Sequence, residues 1–243
     1  MPGPLASSMR VAVVTVGDEI LAGEITDTNS QWLCGRLVER GVDVKRITTV
    51  PDRVADIARV VNEYRAEYDA VVVTGGLGPT HDDLTMEGIA AAVGRQVAEH
   101  AGALAWLTEA GGYSADDLAK GTADLPEGAR FLENDVGVAP GAVVESVYVL
   151  PGVPGEMKAM FERIESEFSG ERVHTETVVA DEPESALIDR LAALQDLFDA
   201  TVGSYPGDTV RLRVRSRDPE EAERAAAWLR EWVSLHPDDA GYR

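Results

Sequence analysis

Apolar residues recur along this chain in two alternating rhythms. Residues 10–16 (RVAVVTV) are an almost unbroken run of β-branched and small apolar side chains, the pattern of a parallel strand buried on both faces. Past residue 27 the rhythm changes: Trp32, Leu33, Leu37 and Val38 share one face of a helix that Asp27, Thr28 or Asn29 can cap and Gly41 closes. Residues 42–49 predict a second strand, and residues 53–68 a helix with Val54, Ile57, Ala58, Val61 and Tyr64 at helical spacing. A third strand over residues 70–74 delivers a glycine-rich loop, after which Met86, Ile89, Ala90 and Val93 continue as a helix. Strands that alternate with helices predict an α/β fold with a doubly wound, mainly parallel sheet and ligands at the carboxyl ends of its strands.

Residues 100–120 read as helical, broken into two pieces at Gly111 and Gly112. Residues 130–133 lead into a glycine-rich turn at 134–141, and strands are expected at residues 142–145 and 147–150. The last ends in PGVPGEM, and Met157, Met160, Phe161, Ile164 and Phe168 then line one side of a helix. Beyond Ser169 the order becomes β-α-β-β-α, a small α+β domain. The expected division is a flexible tail at 1–9, a large α/β domain at 10–169 and a small domain at 170–243.

The predicted chemistry lies in loops that follow strands: Gly17 to Glu19, Val50 to Asp52, Thr74 to Asp83, and Pro151 to Gly155. They are expected to meet at one edge of the sheet. Gly75, Gly76 and Gly78 let the backbone approach a ligand and turn amides toward an anion, while Thr80, Asp82, Asp83 and Thr85 crowd hydroxyls and carboxylates beside them. The loop lacks the lysine of a P-loop and the third glycine of the dinucleotide fingerprint. A plain tight turn is the bland alternative; for Asp27 and Asn29 it is helix capping, and for Pro151 to Gly155 a strand-to-helix turn. His81, a lone histidine, reads as a bystander.

Charge narrows the classes of function. With 22 basic against 43 acidic residues the net charge is -21, which disfavours nucleic acid and anionic membranes as partners. Lys45, Lys120 and Lys158 are the three lysines. An acid-rich, lysine-poor surface is expected of a protein that works at high salt, so stability should rise as molar salt is added; unfolding that becomes easier instead would sink that expectation. No apolar run approaches the ~18 residues of a membrane span, the first eight residues do not form a signal peptide, and the single Cys34 has no disulfide partner. A cytoplasmic location is expected. Arg211, Arg213, Arg215 and Arg217 alternate along one strand and are expected to pair with carboxylates.

Taken in order, GDEILAGEITDTNS, VPD, TGGLGPTHDDLT, NDVGVAPG and LPGVPGEM resemble the molybdopterin-binding family of MoaB/Mog type, and most closely its CinA-type branch. The likeness covers about residues 10 to 169. Glu184 and Ser185, with GSYP at 203 to 206, resemble the small domain that follows in CinA-type proteins. The resemblance implies a three-layer α/β/α fold, a homo-oligomer (dimer or trimer), and a small nucleotide or pterin ligand. It aligns the essential carboxylate with Asp83 and a second acid with Asp52, and adds Asp82 to make a catalytic set of Asp83, Asp82 and Asp52. Asp82 and Asp83 would hold a divalent ion (Mg, Mn or Co). Expected ligand contacts are Gly75, Gly76, Gly78, Thr80, Thr85, Asp18, Asp27, Asn29, Gly137, Pro151 and Gly152. The CinA-type branch implies hydrolysis of ADP-ribose to AMP and ribose 5-phosphate. The alternatives are molybdopterin binding or adenylylation, and a nucleotide- or pterin-binding module without turnover. Where full-length CinA-type proteins continue into a deamidase domain this sequence stops, so deamidase activity is not expected.

Overall fold

A computed structural model describes residues 8–78, 80, 82–114 and 118–241; His81 and most of the expected tail lie outside them. Two compact units emerge, Met1–Gly170 and Glu171–Arg243.

The first unit runs β1 (Arg10–Val16), α1 (Asp18–Leu21), α2 (Thr28–Glu39), β2 (Asp43–Val50), α3 (Val54–Glu67), β3 (Ala70–Thr74) and α4 (Thr85–Val93). It continues with β4 (Val97–Glu99), α5 (Ala101–Glu109), β5 (Asp124–Pro126), β6 (Arg130–Leu132), β7 (Gly141–Val144), β8 (Val147–Leu150) and α6 (Pro154–Ile164). Six strands form one sheet in the order β2-β1-β3-β8-β7-β6. The first four are parallel, and β7 pairs antiparallel with both β8 and β6.

Alternation along the central strands explains the layers. Ala12, Val14, Val16, Val71 and Val73 point to one face, where Ile57, Val61, Tyr64 and Ile89 from α3 and α4 cover them. Val11, Val13, Ala70 and Val72 point to the other, under Leu33 and Leu37 of α2 and Met157, Met160 and Phe161 of α6. Both faces are buried, so β1 and β3 carry no polar alternation. Helix α4 comes close to α3 because Gly88 leaves room: a Cβ there would lie 2.5 Å from the Ile57 side chain.

The doubly wound, mainly parallel sheet expected from the sequence is present. One stretch differs: after α5 the chain forms no second described helix, and β5 instead pairs with β4 as a short antiparallel ribbon. Three-residue strands are too short for periodicity to reveal.

The second unit contains β9 (His174–Ala180), α7 (Glu184–Leu197), β10 (Thr201–Pro206), β11 (Val210–Ser216) and α8 (Pro219–Trp232). Its sheet, β10-β11-β9, packs Val178, Leu212 and Val214 against Leu187, Leu194, Ala225 and Leu229 of the helices. Among the described residues only Arg217 of the β11 arginine series meets a carboxylate, Glu171 at 3.3 Å; Arg213 lies over the Tyr205 ring at 5.2 Å. The pairing expected for Arg211, Arg213 and Arg215 is absent there, because their neighbours across the ladder are Val179, Thr177 and Thr175 and no acid faces them.

Candidate functional site

From β1 the chain crosses to β2 on one side and then to β3 on the other, so a crevice opens at the carboxyl ends of β1 and β3. A chamber of about 620 Å³ occupies it, with Thr15, Val16, Thr74, Gly75 and Gly76 from the two strand ends at its inner wall. Asp27, Thr28 and Asn29 come from the start of α2, and Pro151 and Gly152 from the end of β8. A second chamber of about 420 Å³ lies across the glycine loop, bounded by Met86, Tyr113, Leu118, Lys120 and Leu125 among others. Gly76, Leu77, Gly78, Asp83, Val138 and Ala139 line both. The glycine loop is therefore a shared wall.

The three glycines have different duties. Gly75, at φ 108°, donates its amide to Leu150 O at 3.2 Å, and a Cβ there would lie 2.1 Å from Val16 O. It anchors the loop and leaves no amide for a ligand. Gly76, Leu77 and Gly78 donate to no acceptor among the described residues, so their amides can meet an anion. Thr85 is fully buried and gives its hydroxyl to Gly75 O at 2.9 Å, which fixes the loop against α4.

Asp83 closes the loop. Its Oδ2 accepts from the amide of Thr80 at 3.2 Å and from the Thr80 hydroxyl. Asp82 is exposed and lines neither chamber. Asp52 also lines neither; its Oδ2 accepts from the Asp18 amide at 2.9 Å and so ties the loop after β2 to the loop after β1. Burial holds the Asp52 carboxyl above the usual range. The Asp18 amide opposes that shift, and the charges of Glu19, Asp18 and Asp83 add to it. Asp18 contributes this amide, and its side chain lines neither chamber.

Asp27 caps α2: its Oδ1 accepts from the Ser30 amide at 2.9 Å and its Oδ2 from the Thr15 hydroxyl at 2.8 Å. Asn29 bridges strand end and loop, donating to Thr74 Oγ1 at 3.3 Å and Gly152 O at 2.7 Å. Gly152 is small because Gly75 is its neighbour: a Cβ would lie 3.2 Å from Gly75 Cα. Gly137 lines neither chamber and lies against the carboxylate of Glu156, which accepts from Asn134 at 2.7 Å. Cys34 is half-buried, its thiol pushed up to about 11 by burial and then by Asp27; it has no reactive character.

Glu156, Tyr113 and Lys120 are not among the residues expected at the site, although Gly76, Gly78, Thr80 and Asp83 in the second chamber's wall are. A signal for Glu156 exists in the acid that follows the PGVPG turn. None exists for Tyr113 and Lys120, which lie in irregular chain.

For a divalent cation, no three His, Cys, Asp or Glu side chains converge among the described residues. Of the expected pair only Asp83 lines the chambers, one carboxylate where a magnesium-like ion commonly takes one or two and draws its remaining oxygens from phosphate and water.

Comparison with known proteins agrees with this architecture. Residues 12–171 match the family described as a probable molybdopterin binding domain, and residues 172–236 match the FAD synthase middle domain. A protein of Archaeoglobus fulgidus is 38% identical over 228 residues, covering 93% of this chain and 99% of its own. A CinA-like protein of Desulfosudis oleivorans is 34% identical over 93% of this chain, which spans 59% of that relative. Among solved structures, the protein CinA of Thermoplasma acidophilum superposes with a TM-score of 0.61 at 36% identity, covering 67% of this chain and 99% of that one. No described helix is long and apolar enough to cross a membrane.

Proposed function

The chain belongs to the molybdopterin-binding domain family, in company with CinA-like relatives, and from that premise we propose that it hydrolyses a nucleotide diphosphate, ADP-ribose, to AMP and ribose 5-phosphate. The observation that carries this reading is the glycine loop standing as the shared wall of two chambers. A ligand with two bulky heads joined by a diphosphate fits such a wall: one head on each side, the phosphates on the amides of Gly76, Leu77 and Gly78.

Asp83 faces both chambers from that wall, so it is the group in reach of the phosphates and of an attacking water. Its carboxylate accepts the proton of the water as the new P–O bond forms and the bridging P–O bond breaks. Asp52 acts through the backbone: it holds the loop after β1 to the loop after β2 and sits 3.1 Å from where a Cβ on Gly76 would be. It is a positioning residue. Of the expected pair, Asp83 alone lines the chambers and would offer its carboxylate to a divalent ion, whose contribution is to neutralise charge that develops on the phosphate oxygens.

Family membership itself favours a second reading, binding or adenylylation of molybdopterin. The two separate in one assay. Purified protein incubated with ADP-ribose and Mg, Mn or Co is expected to release AMP and ribose 5-phosphate in equal amounts, followed by chromatography. No AMP under any metal, with ATP and molybdopterin bound instead, would overturn hydrolysis in favour of the second reading. ADP-ribose bound tightly and left intact over hours would reduce the chain to a binding module.

A further inference from the structure

Both chambers are walled by apolar side chains that the folded chain leaves in water. Ile25 is 58% exposed and Val153 56%, and both line the larger chamber. Tyr113, 37% exposed, lines the smaller one with Met86 and Leu118, and Val138, exposed to the same degree, lines both. Single exposed apolar side chains are ordinary; several gathered around one pair of cavities mark a surface that a ligand covers. Because these groups are open to solvent, a ligand that lies on them takes apolar area out of water.

ADP-ribose brings one heterocycle to two such walls. Its adenine covers one of them, and its terminal ribose, hydroxylated around the ring, leaves the other wet whichever way round the ligand lies. A second heterocycle removes that mismatch. Charge narrows what the second one is: Glu19, Asp27, Asp83 and Glu156 line the larger chamber, and no lysine, arginine or histidine does among the described residues. Four carboxylates without a cation beside them disfavour an anionic head and suit an uncharged or cationic one.

We propose that the two chambers together take a dinucleotide, two nucleosides joined through a diphosphate, whose heterocycles are uncharged or cationic. The inference rests on the hydrolase reading for the bond that breaks, and deepens it by naming the substrate class. Water adds to one phosphorus as its proton passes to Asp83; the bridging P–O bond breaks, and the other phosphate leaves with the bridging oxygen. The products are two mononucleotides: AMP and nicotinamide mononucleotide where the dinucleotide is NAD+.

Initial rates of the intact chain on ADP-ribose, diadenosine diphosphate and NAD+, with Mg, Mn or Co present, test it. At least one dinucleotide is expected to exceed ADP-ribose about tenfold in kcat/KM, the effect of covering roughly 60 Å² more apolar wall. Val153→Ser and Tyr113→Ser then trim one chamber each. One of the two, at the wall that the ribose of ADP-ribose leaves bare, should lower the dinucleotide advantage about threefold. The other, at the wall that adenine covers, should lower kcat/KM for all the substrates alike. An advantage that neither change reduces does not come from these walls and overturns the inference. ADP-ribose used as well as both dinucleotides overturns it too, and leaves the hydrolase reading standing. If none of the three is cleaved but a dinucleotide binds more tightly than ADP-ribose by calorimetry, the dinucleotide site stands and the hydrolase reading falls. No cleavage and no preference in binding overturns both. The substrate comparison is read on the natural protein, so a variant that fails to fold leaves it intact.

Discussion

Gly75→Ala is expected to destabilise the first unit by about 2–6 kcal/mol, a large share of an ordinary domain's stability. Two costs combine. Its φ of 108° lies where a side chain is strained by about 1–3 kcal/mol, and the new Cβ would lie 2.1 Å from Val16 O, a backbone atom held inside the β1–β3 ladder. The carbonyl cannot move aside without opening the sheet at the mouth of the site. Gly23→Ala separates the two costs: φ is 75° there and nothing lies within 4 Å of the added carbon, so only the backbone term of about 1–2 kcal/mol remains. Urea unfolding followed by circular dichroism measures both variants. Equal losses would mean that β1 yields, and that the close approach of loop and strand is not what requires glycine. Gly75 spends its own amide on Leu150 O, while the amides of Gly76 to Gly78 meet no acceptor among the described residues.

Much of this was legible in the sequence, for a physical reason. β1 and β3 are buried on both faces and so read as continuous apolar runs, while α2, α3 and α6 have one buried face each and show it in their spacing. Strand ends follow from strand positions, which is why the loops holding Asp27, Asp52, Gly75 and Pro151 could be placed together before any coordinates. Roles within the site were harder. Gly75 and Gly76 look alike in sequence and differ in whether the amide is spent; Asp82 and Asp83 are adjacent and differ in direction, and only Asp83 lines the chambers. Such distinctions arise from tertiary hydrogen bonds, which no spacing rule contains. The second chamber was missed because Tyr113 and Lys120 reach it from chain without regular period.

The two carboxylates differ most sharply when each is made an amide. Asp83→Asn keeps an oxygen to accept from the Thr80 amide and hydroxyl, so the loop survives and the loss is chemical: kcat on ADP-ribose should fall about 10²–10³-fold. Asp52→Asn likewise keeps an oxygen for the Asp18 amide, and because Asp52 lines neither chamber its effect on turnover should be smaller, about tenfold in kcat/KM. Its effect on stability has the opposite sign. Burial raises the Asp52 carboxyl above its unfolded value, with Glu19, Asp18 and Asp83 adding to the shift. A raised carboxyl contributes stability that is complete below the unfolded value, about 4, and is lost as pH rises through the folded one. At pH 7 the ionised Asp52 therefore costs the fold something that asparagine does not, and Asp52→Asn should unfold at higher urea than the natural protein. That gap should close as pH falls below about 4, where both side chains are neutral. A variant that loses activity while gaining stability at pH 7 and not below about pH 4 identifies a carboxylate held against its own electrostatics by the loop it positions. If Asp52→Asn is less stable at pH 7, the hydrogen bond to Asp18 outweighs the charge and Asp52 is a structural tie alone.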